Sequence, residues 1–150
     1  MRIETFTDSF PVAAPPESVH AHLAEPTNHI GLSPLIVAVR DIRRESREVL
    51  RYVAVERFRL LGPLRYDNRL RVTQTDTVPG RQLVMEVRSS ARVRVRFVFD
   101  VAPAPAGSVV TVTATLRMPT LLRGYVLRTA RRVQAFRARA LAERMAGAVD

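Results

Sequence analysis

The sequence predicts an α+β fold in which a seven-stranded antiparallel sheet curves around one long C-terminal α-helix. Three observations lead to this prediction. Seven segments have the character of strands, and where the pattern is clearest, in Leu64–Thr73, Arg92–Val101 and Ser108–Met118, apolar and polar residues alternate with a period of two, which is typical of strands with one buried face. A proline-led helix start follows the first segment. The last segment contains no proline and is rich in alanine, leucine and arginine, which favour a helix.

The elements follow one another in a simple order. The first strand is predicted at Arg2–Val12, and a short helix should start at the prolines before Glu17, whose charge suits the positive end of the helix dipole. Pro26 ends this helix, and a second helical turn is expected at Thr27–Leu32. The six further strands are predicted at Ile36–Ile42, Glu48–Leu61, Leu64–Thr75, Arg81–Ser89, Arg92–Val101 and Ser108–Met118. The long helix is predicted at Thr120–Val149.

One face of the predicted sheet is apolar and must be covered by the long helix. At about 100° per residue, the helix has an apolar stripe that can provide this cover. The residues of the stripe are Leu122, Val126, Ala130, Val133, Phe136, Ala140 and Leu141.

Length and composition exclude several classes of protein. The 150 residues, 47% of them hydrophobic, suit one compact domain spanning 1–150. The chain has no cysteine and no lysine, which excludes disulfides, thiolate catalysis, Schiff-base chemistry and a Walker-type phosphate loop. We expect no metal and no cofactor. The N-terminal segment does not have the pattern of a signal peptide, because acids interrupt it. No apolar run approaches the roughly 20 residues of a membrane span, so a cytoplasmic location is expected.

Two segments resemble a known group of proteins. The stretch SFPVAAPPESVHAHLAEPTNH is similar to the strand and helix start of the START-like helix-grip fold, the SRPBCC group, and RVRVRFVFDVAPAPAGSVVTVTATLRM is similar to its last hairpin. The group includes polyketide cyclases/aromatases, coenzyme Q-binding proteins, lipid-transfer domains and plant allergens. Many relatives carry a tryptophan before a proline near the second short helix, whereas this chain has Gly31–Pro34 there and no tryptophan.

The resemblance implies a cavity between sheet and helix that holds a hydrophobic small molecule. Aromatic residues with a few polar groups on the apolar face suit such a ligand pocket. Asn68 with Tyr66 could bind a ligand oxygen, although a buried amide satisfied within the protein is at least as plausible. The candidate ligand-binding residues are Tyr52, Phe58, Tyr66, Asn68, Met85, Phe97, Phe99 and Val133.

Glu56 and Arg137 are the candidate catalytic residues. Glu56 shares a strand face with Tyr52 and Phe58, so desolvation could raise its pKa and suit it to acid–base work, unless a bulge turns it outward. Arg137 lies about 20° from Val126 around the helix, within the apolar stripe. It could bind an anionic oxygen or pair with Glu56, or it could extend past the sheet into water, which the sequence favours. If buried, it should need an acidic partner.

The three histidines do not form a recognisable site. His20 and His22 are two positions apart and cannot share a helix face, and no zinc-like spacing includes His29. We expect all three to be surface or capping residues.

Arginines dominate the opposite face of the predicted sheet, in a chain with a net charge of +10. An acidic partner would relieve repulsion between adjacent strands, and an acyl carrier protein is the candidate that the resemblance suggests. A membrane surface is an alternative, whereas nucleic acid is less expected because this face lacks aromatics for base stacking. The candidate basic residues are Arg57, Arg59, Arg69, Arg71, Arg92, Arg94 and Arg96.

Three functions fit these features. The first is binding of a hydrophobic or aromatic metabolite of the lipid or polyketide class, and the second is a cyclase/aromatase-type enzyme acting on a carrier-bound substrate. The third is a binder of anionic surfaces. An enzyme requires a buried ionisable group beside the ligand, whereas a carrier needs only apolar and hydrogen-bonding walls. The sequence leaves the ligand and the oligomeric state open.

Overall fold

Seven strands form one antiparallel sheet in the computed structural model, which describes residues 1–59 and 62–147. The strands are β1 (Arg2–Val12), β2 (Ile36–Arg44), β3 (Val49–Arg59), β4 (Arg65–Val78), β5 (Gln82–Arg88), β6 (Arg94–Ala104) and β7 (Gly107–Met118). The helices are α1 (Pro16–Ala24), a 3₁₀ turn at Pro26–His29, another at Thr120–Leu122, and α2 (Arg123–Gly147). The strand order is β1-β7-β6-β5-β4-β3-β2. This architecture confirms the predicted helix-grip fold.

The alternation read from the sequence is the reason these segments form strands with one buried face. In β7, which lies between β1 and β6, every second residue is buried. The buried residues of β7 are Ser108, Val110, Val112, Ala114, Leu116 and Met118. These side chains face the helices, so the core lies between the concave side of the sheet and the helices.

The observed elements differ from the predicted ones mainly at their ends. β6 begins at Arg94 because Arg92 has a φ of 61°, a left-handed conformation that places it in the β5–β6 turn rather than on the strand. The second helical turn spans Pro26–His29 instead of Thr27–Leu32. The predicted ends at Leu61 and Val149 lie outside the described residues.

The two halves of α2 pack differently. Leu141 and Met145, near its C-terminus, belong to the main hydrophobic core. Val126 and Ala130, near its N-terminus, pack only partly buried against a smaller cluster. The predicted apolar stripe is wrong at Phe136, which is 36% exposed, because the buried face passes through the next residue. Within residues 1–59 and 62–147, no helix is both long and apolar enough to cross a membrane.

Arg144 fixes the C-terminal half of α2 to the segment after α1. Its Nη1 donates to the carbonyl oxygen of Asn28 at 2.5 Å, and its Nη2 donates to that of Ile30 at 2.7 Å. Gly31 lies beside this guanidinium with a φ of 86°, and a Cβ there would be 2.7 Å from Nη2 of Arg144. The contact therefore needs glycine at this position.

Candidate functional site

A cavity of about 400 Å³ lies between the concave face of strands β3–β6 and the N-terminal half of α2. Its walls are mostly aliphatic and aromatic. Tyr66 and Tyr125, which are 50% and 55% exposed, lie where the cavity meets solvent. The mouth is therefore at the end of the sheet where the last residues of β3, the first residues of β4, the β5–β6 turn and the start of α2 come together. A cavity of this size and lining suits a small apolar ligand.

The structure brings seven of the eight predicted ligand-binding residues to this cavity. They are Tyr52, Phe58, Tyr66, Asn68, Met85, Phe97 and Val133. Phe99 is the exception, because it is 1% exposed in the main core and does not line the cavity. Phe97 and Phe99 share a strand face, but Phe99 lies one step further from the mouth.

Arg137 is buried, with 6% exposure, and its side chain lines the cavity. The expectation that it extends into water is therefore wrong. Its guanidinium carbon lies 4.8 Å from the ring centre of Phe97 and 5.5 Å from that of Phe99, which are cation–π distances. Burial lowers the pKa of Arg137 to about 10, so the side chain remains a cation at neutral pH.

The expected acidic partner of Arg137 is not present among residues 1–59 and 62–147, where no carboxylate oxygen lies within 4.0 Å of it. Nη1 instead donates to Oε1 of Gln134 at 2.9 Å, and Nε is buried with no hydrogen-bond partner. Aromatic faces and one amide thus replace the carboxylate. Such a cation retains the capacity to bind an oxygen of a ligand.

Gln134 was not identified from the sequence. It is 2% exposed and links two elements, since its Nε2 donates to Oδ2 of Asp8 on β1 at 3.3 Å while its Oε1 accepts from Arg137. The signal in the sequence was its spacing, because a residue three positions before Arg137 lies on the same helical face. Gln134 positions the guanidinium at the cavity wall.

Glu56 is half-buried and faces the same cavity. It lies directly opposite Asn68 in the β3–β4 ladder, so no bulge turns it outward. Burial raises the pKa of its carboxyl, an effect that Asn68 and Arg137 oppose. Burial also raises the pKa of Tyr52, on the same strand face, which keeps that phenol neutral and able to donate a hydrogen bond.

Asn68 is a satisfied buried amide, the second of the two possibilities left by the sequence. Its Nδ2 donates to Oγ of Ser89 at 3.0 Å, and its Oδ1 accepts from Oγ of Ser90 at 2.8 Å. These bonds hold the β5–β6 turn over the cavity. The two serines also line the cavity, and turn residues of this kind gave no functional signal in the sequence.

His20 and His29 are buried, at 6% and 5% exposure, so neither lies on the surface, and His29 fulfils the capping alternative. Nε2 of His20 lies 2.8 Å from Oδ1 of Asp76. Nε2 of His29 lies 2.7 Å from the carbonyl oxygen of Leu23, so His29 caps α1 and lines the cavity. In the part of the chain that the structure describes, no group of three or more histidines and acids could hold a metal ion.

Acidification is expected to destabilise the protein through His29. Burial lowers the pKa of His29 to about 4, whereas an unfolded histidine titrates near 6.5. The unfolded chain therefore binds a proton that the folded chain does not, and the free energy of unfolding falls from about pH 6.5 to pH 4, by up to roughly 3 kcal/mol. Urea unfolding of wild type and His29→Gln at pH 7 and pH 4.5 measures this. An equal loss in both proteins would contradict it.

The outer face of the sheet carries six of the seven predicted basic residues. They are Arg57, Arg59, Arg69, Arg71, Arg94 and Arg96. Arg92 lies instead in the β5–β6 turn, as its left-handed backbone requires. Two of these arginines form ion pairs with acids. Nε of Arg57 is 2.8 Å from Oδ1 of Asp67, and Nε of Arg96 is 3.8 Å from Oε1 of Glu86.

A comparison of the sequence with models of known protein families agrees with the fold described above. Residues 4–149 match the family described as polyketide cyclase / dehydrase and lipid transport. The chain belongs to this family. No curated protein matches the sequence.

Several solved structures share the fold. Zhui aromatase/cyclase from Streptomyces sp. R1128 is 14% identical, with a TM-score of 0.82 over 99% of this chain and 97% of its own. TTHA0849 from Thermus thermophilus is 16% identical, with a TM-score of 0.76 over 99% and 100%. The di-domain ARO/CYC StfQ from the steffimycin biosynthetic pathway is 14% identical, with a TM-score of 0.73 over 97% of this chain and 52% of that one. At these identities the likeness shows the fold alone.

Proposed function

We propose that the cavity binds an apolar small molecule of the lipid or polyketide class through an oxygen atom held by Arg137. The observation that carries the proposal is the buried guanidinium at the cavity wall, which has no carboxylate partner among residues 1–59 and 62–147. An unpaired buried charge is costly, so a ligand oxygen at this point would stabilise the protein. Carboxylate, enolate and carbonyl oxygens all accept from a guanidinium.

Two naphthalene compounds, one with a carboxylate and one without, test the role of Arg137. We expect Arg137→Gln to weaken binding of 2-naphthoate at least tenfold and binding of naphthalene less than threefold, because only the first ligand offers a carboxylate. Arg139→Gln removes an exposed charge two positions further along α2 and should change neither affinity. Naphthalene fluorescence reports both. Equal affinity of wild type and Arg137→Gln for 2-naphthoate, or binding of neither ligand to wild type, would overturn the proposal.

Native mass spectrometry of the purified protein searches for the natural ligand. A mass above that of the polypeptide, lost on denaturation, is the expected result. A small molecule released in this way should carry at least one oxygen acceptor on an apolar body.

The second candidate function is catalysis of the aromatase/cyclase type, and Glu56 is the observation that favours it. A carrier needs only apolar and hydrogen-bonding walls, whereas this cavity has an ionisable carboxyl facing the same space as a cation. In this proposal Glu56 takes a proton from a carbon between two carbonyls of a poly-β-ketone, and Arg137 stabilises the enolate oxygen. The enolate carbon attacks a distant carbonyl, whose oxygen takes the proton back from Glu56. The resulting alcohol then leaves as water together with a proton from the neighbouring carbon. An acyl carrier protein would present the substrate at the mouth.

A further inference from the structure

Four arginines stand in one row across four neighbouring strands of the outer face. The ladders place Arg71 opposite Arg88, Arg88 opposite Arg94, and Arg94 opposite Arg117. All four side chains are exposed. Because neighbouring strands are about 4.8 Å apart, the row concentrates four positive charges along one line at the mouth end of the sheet.

Like charges directly opposite each other destabilise a sheet, and this row has no acid to offset them. Within residues 1–59 and 62–147, none of the four arginines has a carboxylate oxygen within 4.0 Å. Elsewhere on the same face, Arg57 is paired with Asp67 and Arg51 with Glu45. The row therefore has the charge of an anion site and lacks the carboxylate partners that Arg51, Arg57 and Arg96 have elsewhere on the face.

One end of the row opens into a surface hollow beside the cavity. Ser89 and Ser90 line both the hollow and the cavity, so the two spaces are neighbours on either side of the β5–β6 turn. The left-handed backbone of Arg92 brings a further guanidinium to the hollow. The residues around it are Met1, Arg88, Ser89, Ser90, Arg92, Arg94 and Arg117.

We propose that this hollow binds a phosphate ester, and that the phosphate is the polar head of the ligand whose apolar part fills the cavity. Four arginines line the hollow, which suits a dianion with three terminal oxygens, whereas a carboxylate is satisfied by a single bidentate arginine. The second half of the proposal rests on the proposed function of the cavity.

Three ligands distinguish binding in the hollow from binding in the cavity, as measured by calorimetry in phosphate-free buffer at low salt. They are octyl phosphate, 1-octanol and inorganic phosphate. The test variant is Arg94→Gln/Arg117→Gln, and the matched control is Arg43→Gln/Arg47→Gln, which removes two exposed arginines at the opposite end of the sheet. Because the test variant relieves repulsion within the row, its melting temperature should equal or exceed that of wild type.

We expect wild type and control to bind octyl phosphate at least tenfold more tightly than 1-octanol, and the test variant to bind the two alike. Unchanged binding of octyl phosphate by the test variant would overturn the proposal, as would equal wild-type affinities for octyl phosphate and 1-octanol. If octyl phosphate binds no better than inorganic phosphate and 1-octanol does not bind, while both phosphates need Arg94 and Arg117, the phosphate site stands. The proposed function of the cavity then fails.

Discussion

Glu56→Gln is expected to lower the rate of poly-β-ketone cyclisation about 100- to 10,000-fold, the range that a positioned general base contributes. Glutamine keeps the size of the side chain and its place opposite Asn68 but cannot accept a proton from carbon. Affinity for an unreactive aromatic ligand should stay within about threefold of wild type, since binding relies on Arg137 and the apolar walls.

The rate measurement uses a synthetic linear poly-β-ketone thioester, with the spontaneous reaction subtracted. Glu86→Gln is the matched control, because Glu86 is exposed on the outer face of the sheet. The wild-type rate should also fall on acidification as Glu56 becomes protonated, at a pH above the range of an ordinary carboxylate, because burial raises its pKa. Turnover by Glu56→Gln within a fewfold of wild type would remove Glu56 from the chemistry and leave the binding function in place.

Leu141→Ala is expected to cost about 4 kcal/mol of unfolding free energy, because Leu141 is fully buried in the main core and its loss leaves a void. Val126→Ala, on the same helix, should cost about 1 kcal/mol or less, since Val126 is only partly buried at the cavity wall. Urea unfolding with linear extrapolation measures both values. Equal losses at the two positions would contradict the view that α2 is anchored by its C-terminal half.

The sequence contained enough to predict the sheet and most of the cavity wall. Alternation along β4 and β6 depends only on local pattern, so the order of residues alone assigns Tyr66 and Phe97 to the concave face. The orientation of β3 stayed open, because both of its faces are mixed. The bend at Arg92 could not be foreseen, because a left-handed residue other than glycine is set by the hairpin and not by its own preference. For this reason, the predicted start of β6 and the predicted position of Arg92 on the outer face were wrong.

The polar parts of the site were harder to predict than the apolar parts. Arg137 was identified through helical spacing, but whether a long cation extends to water depends on what surrounds it in three dimensions. Two phenylalanine rings and Gln134 supply those surroundings. His29 is similar, since its burial follows from the packing of α1 and the 3₁₀ turn against the sheet rather than from its neighbours in sequence.

The buried guanidinium of Arg137, which has no carboxylate partner among the described residues, offers a way to find the ligand. A molecule that binds the folded chain and not the unfolded chain adds RT ln(1 + [L]/Kd) to stability, about 2.7 kcal/mol at a hundred times its Kd. Because a ligand oxygen bound to this cation would stabilise only the folded chain, the melting temperature reports occupancy of the cavity directly. A thermal-shift screen of oxygenated apolar compounds can therefore rank candidate ligands without any assay of turnover.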